Sequence, residues 1–147
     1  MELKRVVVTG IGAVSPLGNS AAETWQKLLD GVSGAAPITH FDATEFKTQF
    51  ACELKGFKAE DFIDRKEARK MDPYCHYAMA AASMAMDDSA IDLESIDKNR
   101  VGVVFGVGIG GMKTFEDEIT NYALHKDTLG PKFNPFFVPK MIADICA

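Results

Sequence analysis

Val101-Gly102-Val103-Val104-Phe105 leads directly into Gly106-Val107-Gly108-Ile109-Gly110-Gly111, and this junction decides the class of fold. A continuous apolar, β-branched run leaves no hydrated side, so it reads as a strand covered on both faces. The glycines that follow allow a tight turn or a close backbone approach. A helix is expected next, from about Met112 to Leu124, with Glu116, Asp117 and Glu118 mostly in its early half, where the helix dipole favours acids. A similar pattern opens the chain. Val6-Val7-Val8 and Thr9 run into Gly10-Ile11-Gly12-Ala13-Val14-Ser15-Pro16-Leu17-Gly18. Asn19 or Ser20 then caps a helix over about Ala21 to Leu29, with Trp25, Leu28 and Leu29 on one face and Gly31 and Gly34 ending it.

Between the two junctions the pattern is less regular. Residues 35 to 58 alternate short apolar groups with turn formers and are read as irregular, with a short strand near Phe50 to Leu54. Asp72-Pro73 opens the clearest helix, about residues 73 to 88, since Asp suits the cap and Pro the first turn. Its body is rich in Ala and Met, and so many small residues imply that another element approaches closely and buries it. The resulting order of strand, helix, helix, strand and helix predicts an α/β layered fold. Two strong strands are too few for its sheet. From Pro139 a further helix begins, with Met141, Ile142 and Ile145 on one face, and nothing closes it before Ala147. The chain is therefore read as part of a larger protein.

Composition narrows the function classes. The chain has 147 residues, 47% of them hydrophobic, as expected of a folded domain, and a net charge of −5. That charge argues against broad nucleic-acid binding. No run approaches a membrane span and the N-terminus lacks the features of a signal peptide, so a cytoplasmic protein is expected. Cys52, Cys75 and Cys146 are odd in number and contain no Cys-x-x-Cys pair, so buried free thiols are expected rather than disulfides or a zinc site.

Two motifs carry competing readings. Gly106-x-Gly108-x-x-Gly111 has the form of a dinucleotide fingerprint, in which backbone N–H groups at a helix N-terminus hold a pyrophosphate. The second strand with a terminal acid does not follow, because Asp127 lies in a polar stretch. Close packing is the alternative. Arg65-Lys66-Glu67-Ala68-Arg69-Lys70 concentrates positive charge on an acidic chain. It is either a solvated surface run or a docking site for an acidic partner, with Lys66, Arg69 and Lys70 on one face if helical. Cys75 and His76 are neighbours that point about 100° apart on a helix, so they are read as core residues rather than a catalytic pair.

Several segments together resemble the elongating β-ketoacyl-acyl-carrier-protein synthases, which have the thiolase-like layered α-β-α fold. They are Arg5-Val6-Val7-Val8-Thr9-Gly10-x-Gly12, Ser15-Pro16-Leu17-Gly18-Asn19, Trp25, His40-Phe41-Asp42, Arg65-Lys66-Glu67-x-Arg69-Lys70-Met71-Asp72, Gly106 to Gly111, and Asn134-Pro135-Phe136-Phe137-Val138-Pro139. The resemblance covers the whole chain and makes residues 1–147 the first part of that domain. It implies condensation of an acyl thioester with malonyl-acyl-carrier protein, with loss of CO2 and without a cofactor or metal. It places the nucleophilic cysteine, two histidines and a lysine after Ala147, so no catalytic residue is assigned here. Ile109 is implied as the gate of the acyl pocket and Phe137 as a pocket wall shared across a homodimer. Lys66, Arg69 and Lys70, with Lys132, are implied to dock the acyl carrier protein, and Gly106 to Gly111 become close-packing residues. A non-catalytic chain-length partner of the same fold and a dinucleotide-binding fragment are the alternatives.

Overall fold

Capping chemistry starts the first helix, α1 (Ala21–Leu29), where the sequence predicts it. Ser20 is extended and its hydroxyl accepts from the Glu23 N–H at 3.2 Å, while Glu23 reaches back to the Asn19 N–H at 3.0 Å. The first bond satisfies an amide that the helix leaves without a partner, and the second ties the residue before the cap to the first turn. Gly31, with φ of +67°, turns the chain away. This structure is a computed structural model and describes residues 3–130 and 133–142. After α1 come a two-residue antiparallel ladder, β1 (Ala36–Pro37) with β2 (Phe50–Ala51), and then a single 3-10 turn, Ala59–Asp61. The helices α2 (Arg65–Ala68), α3 (Pro73–Ser89) and α4 (Met112–Leu129) follow, and a 3-10 turn occupies Pro139–Met141. Among the described residues no helix is long and apolar enough to cross a membrane, and no group of acids, His and Cys could hold a metal ion.

The chain forms two compact units, Met1–Lys58 with Ala80–Ile91, and Ala59–Met79 with Asp92–Ala147. The division falls within α3. In the first unit, Gly10 and Gly12 lie directly on the backbone of α3. A Cβ on Gly12 would sit 1.9 Å from the Ala81 carbonyl oxygen, and one on Gly10 would sit 2.2 Å from that of Ala85. Ala81, Ala85 and Ser89 recur at every fourth position, so they share one face of the helix and keep it flat. The small-residue stretch therefore does what its composition implies. Ile11, between the glycines, donates its N–H to the Asp88 carboxylate at 2.8 Å.

In the second unit the residues around Asp72 bind α4 to the start of α3. Asp72 is 6% exposed, and its carboxylate accepts from the Thr114 hydroxyl at 2.7 Å. The Asp72 backbone carbonyl accepts from Cys75 and His76, as the residue ahead of a helix should. Cys75 and Ala80 are fully buried. Gly111 adopts φ of +70° ahead of α4, and a Cβ there would meet the Lys140 carbonyl oxygen at 2.8 Å. At Gly110 a Cβ would meet the Tyr74 ring, also at 2.8 Å.

Several expectations are corrected. Val6–Val8 and Val101–Phe105 are not strands, and no ladder partner for either lies among the described residues. Val6 is 88% and Val104 94% exposed, so neither run is covered. A strand exists through its neighbours' hydrogen bonds, and β-branched residues alone do not supply them. α4 runs five residues beyond Leu124, because nothing before Gly130 breaks it; Gly130, with φ of +69°, does. Cys52 is exposed rather than buried, as it follows a ladder only two residues long. α3 is buried at Cys75 and Ala80 but uncovered at Met86. Where a longer helix is expected from Pro139, the described part is a 3-10 turn, and Cys146 lies outside the described residues.

The contact at Gly12 generates a prediction. Gly12→Ala drives a Cβ into backbone that cannot swing aside, and should cost about 3 kcal/mol, the upper end of ordinary overpacking. Gly106→Ala, where nothing lies within 4 Å, should change stability by less than about 0.5 kcal/mol. Urea unfolding of both variants measures the difference, and equal midpoints would remove the packing role of Gly12.

Candidate functional site

The basic run of residues 65–70 is shaped by its first neighbour. Asp64 caps α2, its carboxylate accepting from the Lys66 N–H at 2.8 Å. Arg69 keeps helical dihedrals just past the end, and Lys70 and Met71 donate back to the Glu67 and Ala68 carbonyls at 2.9 and 3.2 Å. The segment is thus a turn and a half of helix. Lys66 and Arg69 are exposed. Lys70 is half-buried and pairs with Glu67 at 2.6 Å. An exposed pair of this kind is worth at most about 1 kcal/mol, so Lys70 remains available to a stronger acidic partner.

Arg65 and Arg69, one helical turn apart, border an open cleft of about 440 Å³ lined also by Ala59, Glu60, Ala68, Met71, His76 and Lys140. His76 is fixed there, its ring Nε2 lying 2.8 Å from the Ala68 carbonyl oxygen. The expectation that Cys75 and His76 are both core residues holds for Cys75, whose thiol is fully enclosed, but His76 is half-buried on the cleft wall. Nearby, burial pushes the Tyr77 phenol above its ordinary value, and the charge of Asp72 adds to the effect.

The implied acyl-pocket residues lie in different surroundings. Phe137 is half-buried in an aromatic cluster. Its ring is 6.0 Å from that of Phe115 and 5.8 Å from that of Phe133, and Phe133 stacks on Tyr122 at 5.2 Å. Offset pairs at such distances add about 0.5–1.5 kcal/mol each beyond their buried area. Asn134 holds the turn, donating its N–H to Glu118 and accepting from the Phe136 N–H through its side chain. Ile109, in contrast, is 76% exposed on the glycine loop. Neither Ile109 nor Phe137 lines the cleft at Arg65. Lys132 lies outside the described residues.

The glycine loop divides between its two readings. Gly106 and Gly108 have open space where a Cβ would be, whereas Gly110 and Gly111 are packed by Tyr74, Lys140 and Met141. The backbone of Lys140 and Met141 therefore covers Gly111 at the start of α4, where the nucleotide reading needs room for a phosphate. Close packing is seen at Gly110 and Gly111 only. Arg65, Glu60 and Lys140 are neighbours in one cleft that no sequence pattern marks as a site. Arg65 alone carries a signal, its place within the basic run. Lys140 is 75 positions away in the sequence, and only folding brings it there.

Known proteins are similar to this chain in sequence and fold. The family model of the beta-ketoacyl synthase N-terminal domain matches residues 3–147. The chain is 43% identical over 148 residues to 3-oxoacyl-[acyl-carrier-protein] synthase 2 of Synechocystis sp., covering 100% of this chain and 35% of that protein. It is 46% identical over 145 residues to the Staphylococcus aureus (strain COL) protein of the same name, covering 97% and 34%. It thus spans about a third of the length of these relatives. Among solved structures, a ketosynthase bound to a hexaketide and in complex with its type II PKS acyl-carrier protein superposes with a TM-score of 0.75 at 27% identity, covering 98% of this chain and 37% of that one. A beta-ketoacyl synthase from Burkholderia phymatum gives 0.74 at 26% identity, covering 99% and 35%. The fold class is therefore the α/β, thiolase-like one that the resemblance implies. The chain belongs to the beta-ketoacyl synthase family, matching the model of its N-terminal domain over residues 3–147.

Proposed function

We propose that this chain is the first part of a 3-oxoacyl-acyl-carrier-protein synthase that lengthens acyl chains in fatty-acid synthesis. The observation that carries the reading is the match to relatives of that name along essentially the whole chain. In the proposed reaction an acyl group is first held as a thioester on a cysteine sulfur. Loss of CO2 from the malonyl unit leaves a carbanion, which attacks the acyl carbonyl and expels the thiolate. The chain grows by two carbons. The reacting cysteine, histidines and lysine belong to the part of the protein after Ala147. Residues 1–147 supply binding surfaces, and the complete protein works as a cytoplasmic homodimer.

The roles of individual residues are those that the family resemblance implies, and their chemistry is compatible with them. Lys66 and Arg69 are exposed cations on an acidic chain, and Lys70 has only an exchangeable surface partner. An acidic carrier protein in its acyl and malonyl forms is the partner such a surface fits, with Lys132 as a further contact. Ile109 and Phe137 present apolar surface to the acyl chain, which binds through about 0.8 kcal/mol per buried CH2. A second reading is a non-catalytic chain-length partner. It has some support from the superposition on the ishigamide ketosynthase/chain length factor, with a TM-score of 0.72 at 29% identity. The sequence following Ala147 separates the two, because a cysteine in a small-residue context there makes the enzyme.

Three measurements test the proposal. The 147-residue chain should show no condensation of malonyl-carrier protein above background, and turnover would refute the missing nucleophile. In the complete protein, K66E, R69E and K70E together should weaken carrier-protein binding about tenfold or more at low salt, mostly by slowing association. Surface plasmon resonance reads the rate directly, and an unchanged affinity would end the docking assignment. Ile109→Phe should overfill the pocket and shorten the acyl chains accepted. Equal transfer of short and long acyl groups would show that Ile109 is not the gate.

A further inference from the structure

The cleft at α2 carries more charge than docking through Lys66 and Lys70 uses. Arg65, Arg69 and Lys140 line it against one carboxylate, Glu60. Among the described residues none of these three cations is in an ion pair. The chain as a whole is acidic, at −5, so this concentration runs against its average. The backbone that carries it is fixed. Arg65 and Arg69 extend from one capped turn. Lys140 sits on a 3-10 turn whose backbone is fixed by its own N–H to the Phe136 carbonyl at 2.9 Å and by contact with the bare Cα of Gly111.

We propose that this cleft binds a phosphate group. Two guanidinium groups four residues apart on a turn offer planar forks that match a tetrahedral oxyanion, and the Lys140 ammonium adds a third charge from a separate element. Three cations against one acid suit a dianion better than a single carboxylate. The cleft has a volume of about 440 Å³. It is ample for phosphate with a short organic group attached. Ala59, Ala68 and Met71 give that group an apolar lining, and His76 has a ring on the same wall. The ligand is either inorganic phosphate or a small phosphate ester. The site does not depend on carrier docking: Lys66 and Lys70 lie outside the cleft, and Arg69 alone belongs to both.

Equilibrium dialysis of the protein against radiolabelled orthophosphate, at fixed ionic strength made up with chloride, tests it. One saturable site is expected. Arg65→Gln and Lys140→Gln should each weaken binding about tenfold, as loss of a charge-assisted hydrogen bond predicts. Lys66→Gln should leave it within about twofold, because an exposed charge outside the cleft contributes little. Circular dichroism checks that each variant keeps its helix content, and Arg65→Lys, which retains the charge but not the fork, should bind between wild type and Arg65→Gln. Competition by glycerol 3-phosphate distinguishes the sources: tighter binding than phosphate assigns an ester resting on the apolar lining, and equal or weaker binding assigns the free ion. Uptake that does not saturate, or an affinity unchanged by both Arg65→Gln and Lys140→Gln, would overturn the proposal. Carrier binding that survives reversal of Lys66 and Lys70 bears only on docking and leaves the phosphate site standing.

Discussion

Contact between glycine and neighbouring backbone is the constraint on which the rest of this chain depends. Gly12 lies against the Ala81 carbonyl, closer than any side chain would permit, and Gly111 lies against that of Lys140. In both places a missing Cβ is the physical condition for assembly, because backbone cannot move aside as a flexible side chain can. The first contact brings the N-terminal segment onto the small face of α3. The second seats the Pro139–Met141 turn on the start of α4. The glycine-rich junctions therefore serve packing at these positions, and Lys140 reaches the cleft as a consequence.

The two valine runs show the opposite situation. Val6, Val8 and Val104 have more than four-fifths of their surface exposed, at 88%, 81% and 94%. Fully burying a valine is worth about 1.5–3 kcal/mol relative to leaving it exposed. These runs therefore hold a large driving force that the described residues do not use. A relative in this family is about three times as long, and a strand draws its stability from neighbours that need not be near in sequence. The β-branched pattern and the absence of a ladder are consistent: the residues favour strands, and the pairing partner makes one.

Charge is organised at a finer scale than the net value conveys. Asp64 opens α2 and directs the cations that follow to different places. Lys66 faces solvent, Lys70 leans on Glu67, and Arg65 and Arg69, both exposed, border the cleft. Two binding roles are thereby possible within six residues. Cys75 and His76, although adjacent, illustrate the same directional rule: the thiol is enclosed while the ring is tied to the Ala68 carbonyl.

By itself the sequence determined what is local. It specified α1 through Ser20 and Glu23, the start of α3 through Asp72-Pro73, the close approach implied by the Ala-rich face, and the family through motifs kept in order from Arg5 to Pro139. These are properties of neighbours along the chain, set by capping, dihedral preference and spacing. Only the tertiary structure decided that the valine runs have no ladder partner among the described residues, that Cys52 is exposed, and that Lys140 lines one cleft with Arg65 across 75 positions. Those outcomes depend on which distant segments supply hydrogen bonds and cover, and such long-range pairing leaves no local pattern to read.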